Sequence, residues 1–555
     1  MRKIVFSDIS VRYRRTSEEQ IHDINLEIEE GQLILLCGPS GSGKSTLTLL
    51  FNGIIPHHSR AIVKGEINVF GRNPLEEKVA NMANLVGILL QDPESQLATS
   101  RVKDEIILTL EFQGKARDEI NAILNRLLTR FELDKLAEAD SIRLSGGEKQ
   151  LVALAAMLSL DPDIIILDEP TSNLDPFNTR KVLNHVASFK EEGKTIILIE
   201  HKINEVFNYC PPDKIVIMDN GIIFDQGMPK DIVQRDSLQK IGLSPPKIYD
   251  YCSRLSLTPN QRENLPFSLA EFQNFVVSLS ADQKAELSNF LILTPRMNLK
   301  IDQNLMEFSD ISFIYRNQID NALNDITFSI NKGELIAIVG NNGSGKSTLV
   351  KHMIGLHKPK AGNLIIDGKD SKNWTAAKLA RKVAFLFQNP DYQIFNSTVL
   401  KEVSYGAKNC GMKKLLAIEK AKESLNLVKL IDFVEKDPLK LSMGQKQRVA
   451  VASALTMNPE VYVLDEPTTG QDPTSLKGIM DLMLTEYQRS SATIILVTHD
   501  MELVDSVANR VLAMNDGTIV LDDLTENVFA NPLLSKCNLE PPIRIKMLQV
   551  LNQSI

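Results

Sequence analysis

The sequence predicts an α/β protein made of one unit written twice, each copy built around a mostly parallel sheet. Three observations predict it. Blocks of sequence recur at a nearly fixed displacement. Short apolar runs stop at a glycine or an acidic pair, as buried parallel strands do. Between those runs apolar residues recur at helical spacing, so that strands alternate with helices.

The repeat is explicit. DISVRY, from Asp8, returns as DISFIY from Asp310, and GPSGSGKSTL, from Gly38, returns as GNNGSGKSTL from Gly340, both 302 residues later. LSGGEKQ from Leu144 returns as LSMGQKQ from Leu441, and LDEPTSNLDP from Leu167 returns as LDEPTTGQDP from Leu464, now 297 residues later. The second copy is therefore shorter by about five residues between the two groups of motifs. In chain order each copy opens with strand-like alternation and reaches LILLCG or LIAIVG. It continues to IIILDEP or VYVLDEP and then to TIILIEH or TIILVTH. Leu151, Leu154, Ala155 and Leu158 lie at i, i+3, i+4 and i+7, the stripe of a helix packed on the sheet. Each copy ends in a tail with a shared L-x-P-P, a turn into a short helix. The expected boundaries are a first domain at 1–240 with an extension at 241–275, a helical connector at 276–303, and a second domain at 304–532 with an extension at 533–555.

Composition limits the function classes. The 555 residues exceed one module, since a domain takes roughly 100 to 200. With 43% hydrophobic and 24% charged residues, each domain can bury an ordinary core. The net charge of −8 lies wholly in residues 1–303, and neither half is basic, which argues against a large nucleic-acid footprint. The five cysteines are scattered and odd in number, which suits a reducing compartment. No apolar stretch reaches the roughly 18 residues that span a bilayer, and the amino terminus lacks the apolar centre of a signal peptide, so any membrane role is expected to be peripheral.

Both copies match G-x-x-x-x-G-K-[ST]. The first cradle comprises Gly38, Ser40, Gly41, Gly43, Lys44, Ser45 and Thr46; the second comprises Gly340, Asn342, Gly343, Gly345, Lys346, Ser347 and Thr348. Glycines let backbone N–H groups and the next helix N-terminus face phosphate, the lysine reaches the β and γ phosphates, and the hydroxyl serves Mg²⁺. Asp168 and Asp465 end apolar strands, where an aspartate can hold Mg²⁺, and the adjacent Glu169 and Glu466 can polarise an attacking water. A lone Asp-Glu after a strand is usually solvated surface, but here it follows a phosphate cradle in both copies.

These motifs resemble those of ATP-binding cassette (ABC) ATPases, and LSGGEKQ and LSMGQKQ are the deciding feature, because other phosphate-loop ATPases lack this signature. The resemblance implies two P-loop ABC ATPase domains, each with a mostly parallel sheet core, an antiparallel β subdomain and an α-helical subdomain, plus short helical tails. It implies an intramolecular cassette dimer in which Ser145 and Gly147, or Ser442 and Gly444, close over the ATP held by the other copy. It further implies that Tyr13 and Tyr315 stack on adenine, that Gln91 and Gln388 sense Mg²⁺ and water, and that His201 and His499 contact the γ-phosphate. The cofactors are then ATP and Mg²⁺, with Ser45, Gln91, Asp168, Ser347, Gln388 and Asp465 around the metal. Met443 replaces the first signature glycine of the second copy, and Leu151 stands where the other copy has Arg448.

After the glutamine the copies read QDPESQLATSRVKDEI and QNPDYQIFNSTVLKEV. The shared Q-[DN]-P-[ED]-x-Q with a following V-x-x-E, and the L-x-P-P tails, resemble the ATPases of energy-coupling factor importers. That implies a transmembrane scaffold protein docking near Gln91 and Gln388, a separate substrate-capture membrane protein, a vitamin, vitamin precursor or metal ion as cargo, and a peripheral position on the cytoplasmic side of the cell membrane. A soluble twin-ABC factor acting on the ribosome is the alternative, disfavoured by the weakly charged connector. A DNA-repair ABC ATPase would need zinc-bearing insertions, and the sequence has no such cysteine cluster.

Overall fold

The computed structural model describes the chain apart from Met1, Arg15, Asn173, residues 293–302, 317–320 and 469–472, Ile555, and the side chains of 473–475. It divides into two units, Met1–Phe275 and Val276–Ile555. The unit boundary falls inside the helix Leu269–Val277.

The first unit contains β1 (Lys3–Tyr13), β2 (Ile21–Glu29), β3 (Leu33–Cys37), β4 (Ala61–Val69), β5 (Val86–Leu89), β6 (Ile164–Asp168), β7 (Thr195–Ile199), β8 (Lys214–Asp219) and β9 (Ile222–Gly227). They form a three-stranded antiparallel sheet, β2-β1-β4, and a six-stranded sheet, β5-β6-β7-β3-β8-β9, parallel except for β9. Strand alternation sends alternate side chains to opposite faces. Ile34 and Leu36 of β3 join the core shared with β1 and β2, while Leu33, Leu35 and Cys37 join the core under the helices. The helix Gly146–Leu158 supplies Leu151, Leu154, Ala155 and Leu158 to that second core, as their spacing requires.

The second unit repeats the plan. It contains β10 (Asn304–Phe313), β11 (Leu323–Asn331), β12 (Leu335–Val339), β13 (Ala361–Ile366), β14 (Lys369–Asp370), β15 (Val383–Leu386), β16 (Val461–Asp465), β17 (Thr493–Val497), β18 (Arg510–Asn515) and β19 (Thr518–Leu524). The antiparallel sheet runs β11-β10-β13-β14 and the larger one β15-β16-β17-β12-β18-β19. In both units the phosphate-loop strand lies centrally, so its loop opens among the carboxyl ends of parallel strands, where α/β sheets bind ligands.

The L-x-P-P turns start helices as expected: Pro246 caps Lys247–Ser253 and Pro542 caps Ile543–Gln553. Each tail is tied to the helix that follows the late-strand histidine. Asn204 Oδ1 accepts from Lys247 N at 2.7 Å, and Glu502 Oε1 from Ile543 N at 2.6 Å. Of the expected connector, Ala281–Ile292 is helical and packs on Ile543–Gln553 of the second unit, burying Leu287 and Leu291, whereas 293–302 lies outside the described residues. Arg544, 3% exposed, fixes this arrangement: its guanidinium donates to both Asp505 oxygens (2.9 and 2.7 Å), to Glu526 (2.8 Å) and to the Leu291 carbonyl (2.6 Å). Among the described residues no helix is long and apolar enough to cross a membrane.

Candidate functional site

Each phosphate loop joins a central strand to a helix, Lys44–Phe51 after β3 and Lys346–Met353 after β12. Gly38 has φ 151°, and a Cβ there would lie 2.1 Å from the Met218 carbonyl oxygen, so the close approach of β8 requires glycine. Lys44 Nζ donates to the carbonyls of Gly38 and Pro39 (2.8 and 2.9 Å), and Lys346 Nζ to those of Gly340 and Asn341 (2.8 Å each). Both lysines thus curl back over their own loop.

The acidic pairs stand across from the loops. Burial raises the Asp168 carboxyl above its ordinary value despite a hydrogen bond from Ser45, and burial with the neighbouring Glu466 pushes Asp465 up to about 6. Burial alone would raise Glu169 and Glu466 too, but His201 with Lys44 and Gln91, and His499 with Lys346, together hold both below the ordinary value. His201 Nε2 meets Glu169 Oε1 at 3.2 Å, and His499 Nδ1 meets Glu466 Oε1 at 3.0 Å, so the two imidazoles use opposite ring nitrogens. Gln91 Nε2 donates to Glu169 Oε2 at 2.7 Å. The structure thereby brings Gln91, Glu169 and His201 together, and likewise Glu466 and His499. Among the described residues Asp465 Oδ1 is buried with no hydrogen-bond partner, while Glu466 Oε2 also lies 3.0 Å from His499 Nδ1. Such hydroxyl, amide and carboxylate oxygens beside a phosphate cradle fit a hard divalent cation such as Mg²⁺. Glu169 and Glu466 also take left-handed backbone, φ 48° and 47°, an uncommon conformation for glutamate in both copies.

Tyr13 and Tyr315 flank the cradles, with Tyr13 Oη 3.2 Å from Thr46 Oγ1 and Tyr315 Oη 3.1 Å from Thr348 Oγ1. Their surroundings differ. His357 lies edge-on to Tyr315 at 5.3 Å and stacks on Phe313 at 4.9 Å, and the buried His352 meets Thr348 O through Nδ1 at 2.8 Å. The repeat puts Val11, Leu50 and Ile55 at the positions of Phe313, His352 and His357.

Ser145 and Ser442 each form a capping box, with Glu148 and Gln445, at the N-terminus of a signature helix, Gly146–Leu158 or Met443–Met457. The two signature glycines are not equivalent. A Cβ on Gly146 would meet nothing within 4 Å, which explains why Met443 is accommodated, whereas one on Gly147 would lie 3.0 Å from the Asn178 amide. Leu151 is buried in the core, where Arg448 instead donates to the carbonyls of Gly444 and Val428, each at 3.4 Å.

The Q-[DN]-P-[ED]-x-Q pattern builds a rigid bracket. Asp92 and Asn389 cap short 3₁₀ turns at Pro93–Ser95 and Pro390–Tyr392. Gln96 Oε1 accepts from Leu90 N (2.8 Å) and Gln393 Oε1 from Phe387 N (3.3 Å). Glu94 and Asp391 pair with Lys149 and Lys446 of the signature helices. The buried Glu105 takes the backbone amides of Ala98 and Thr99, as Glu402 takes those of Phe395 and Asn396. The resemblance gives this segment to scaffold docking as a whole; the separate jobs of these side chains within it come from the fold. Sequence reasoning missed Glu200, Lys202 and Arg544, whose side chains reach residues well away in sequence, and the pair His352 and His357, whose packing against Phe313 and Tyr315 leaves no local pattern.

The family model described as ABC transporter matches residues 21–172 and 323–469. A Methanosarcina mazei protein named as an ABC transporter ATP-binding protein is 35% identical over 98% of this chain and 92% of its own length. One so named from Caldanaerobacter subterraneus is 37% identical over 98% and 95%. Among solved structures, CbiO1 from Clostridium perfringens, titled as part of the ABC transporter complex CbiONQ, is 33% identical over 45% of this chain and 99% of its own, with a TM-score of 0.39.

Proposed function

The chain belongs to the ABC transporter family, as two ATP-hydrolysing cassettes in one polypeptide, and from that premise we propose that it energises an energy-coupling factor importer of a vitamin, vitamin precursor or metal ion. It acts from the cytoplasmic face of the cell membrane, where a transmembrane scaffold docks beside Gln91 and Gln388 and a second membrane protein captures the cargo. The observation that carries this reading is the bracket repeated in both units, which ties the segment after each glutamine to a signature-helix lysine. On the second unit it presents Tyr392, 78% exposed, and Phe395, 62% exposed. Movement at a docked scaffold would thus reach the glutamine and the signature helix together.

Within the sites, Lys44 and Lys346 with the loop glycines hold the phosphates, and Tyr13 and Tyr315 stack on adenine. Glu169 and Glu466 orient and polarise the attacking water, with His201 and Gln91 holding the first in place and His499 the second. Mg²⁺, when bound near Ser45, Gln91 and Asp168 or Ser347, Gln388 and Asp465, supplies positive charge to the phosphate oxygens. Ser145 and Gly147 complete the site of Lys346, and Ser442 and Gly444 that of Lys44, each placing a helix N-terminus against γ-phosphate charge.

Purification of the full chain from membranes, with its companions identified by mass, tests the assembly. Two integral membrane proteins are expected; co-sedimentation with ribosomes and no membrane companion overturns the reading. Ser145→Arg tests the composite sites: nucleotide turnover at the Lys346 site should fail, and its survival would exclude the head-to-tail arrangement.

A further inference from the structure

The structure assigns Glu200 and Lys202 as positioning residues that lace the chain after Glu169 to the strand end carrying His201, and so set the geometry of the first catalytic pair. Glu169 N already donates to Ile199 O at 3.0 Å, where β6 runs beside β7. Just beyond, the Glu200 side chain, 2% exposed, accepts from both the backbone N–H (3.0 Å) and the hydroxyl of Thr171 through Oε1. Its Oε2 takes the His201 N–H at 3.0 Å. Lys202 Nζ continues the lacing by donating to Thr171 O (2.8 Å), Leu174 O (3.2 Å) and Thr179 Oγ1 (3.3 Å). One residue before and one after His201 thereby grip the segment that follows Glu169. A left-handed glutamate persists only where its surroundings hold it; the strand-end carbonyl does so in both copies, and in the first these ionic hydrogen bonds, stronger than neutral ones, tie down the segment that follows it as well.

The second unit is built otherwise. Thr498 and Asp500 stand at the equivalent positions; Thr498 Oγ1 accepts from Asp500 N at 3.0 Å, and Asp500 caps the helix Met501–Val507. The pair therefore distinguishes the two sites. Glu200 and Lys202 touch no reacting atom, and the inference rests on the reading that Glu169 and His201 act together.

The test is steady-state ATPase of the full chain in Lys202→Met and Lys202→Arg, with kcat and KM separated. Lys202→Met should lower kcat, by up to about half if the two sites turn over independently and by more if they are coupled, while KM stays within about twofold. Lys202→Arg, which keeps the donor, should return the lost turnover. Unchanged kcat in a folded Lys202→Met variant, or equal losses with methionine and arginine, overturns the inference. Should Lys202→Met not fold, Glu200→Gln takes its place: it sets an amide N–H against donors and should lower kcat with KM held, and unchanged kcat again overturns the inference. Glu169→Gln separates the two levels. Turnover untouched by Glu169→Gln sinks the catalytic reading itself, whereas turnover lost in Glu169→Gln but kept in Lys202→Met sinks only the positioning.

Discussion

His352 is 1% exposed behind the Tyr315 cradle, and burial lowers its pKa below the ordinary imidazole value. The charged and titratable neighbours are His357, also lowered by burial, and Lys351, whose charge adds to the depression at His357. Between the folded and ordinary values the unfolded chain holds a proton that the native state lacks. Stability of the second unit should therefore fall as pH drops through about 6.5. His352→Leu, which installs the residue found at the equivalent Leu50, should flatten that loss, as read from melting temperatures between pH 5 and 8. At the same scale, Glu169→Gln and Glu466→Gln made separately should each cut steady-state ATPase by at least tenfold if the sites are coupled, or by about half if they are independent. Turnover that ignores one of them marks a site that does not hydrolyse. The cradle and acidic residues were legible because the chain repeats them. The surroundings of Tyr315 were not, since a histidine in a helix announces neither its burial nor its partner.

The signature helices show how far a motif can vary before an element fails. Gly146→Met should leave stability of the first unit nearly unchanged, because that position is open, whereas Gly147→Ala must displace Asn178 and should cost on the order of 1 kcal/mol. Paired melting curves check the contrast. Glu105 is a stronger case: its carboxylate takes two amides and the Thr99 hydroxyl, so Glu105→Ala should destabilise the bracket by roughly 1–3 kcal/mol. Strand and helix order followed from apolar runs and i, i+3, i+4 spacing. The left-handed backbone of Glu169 and Glu466 did not, because nothing in a run of residues ending in Asp-Glu specifies it. It is imposed by neighbours such as Ile199 and Val497, whose carbonyls take the two glutamate amides.

Across the whole molecule the repeat was readable, but the allegiance of the segment between the copies was not. Ala281–Ile292 shows a helical apolar face, and only the folded chain reveals that the face is answered by Ile543–Gln553, more than 250 residues away. Arg544→Met removes the cation paired with the buried Asp505 carboxylate and should destabilise the second unit by about 3–5 kcal/mol, measurable by denaturant titration. The same docking bears on any attempt to excise the carboxy-terminal lobe. Scissors applied at the first residue of β10 would take away the Leu291 carbonyl that Arg544 holds and bare the greasy groove that Leu287 and Leu291 fill. A lobe cut instead at Val276 carries its own lid, and should be the one that remains in the supernatant.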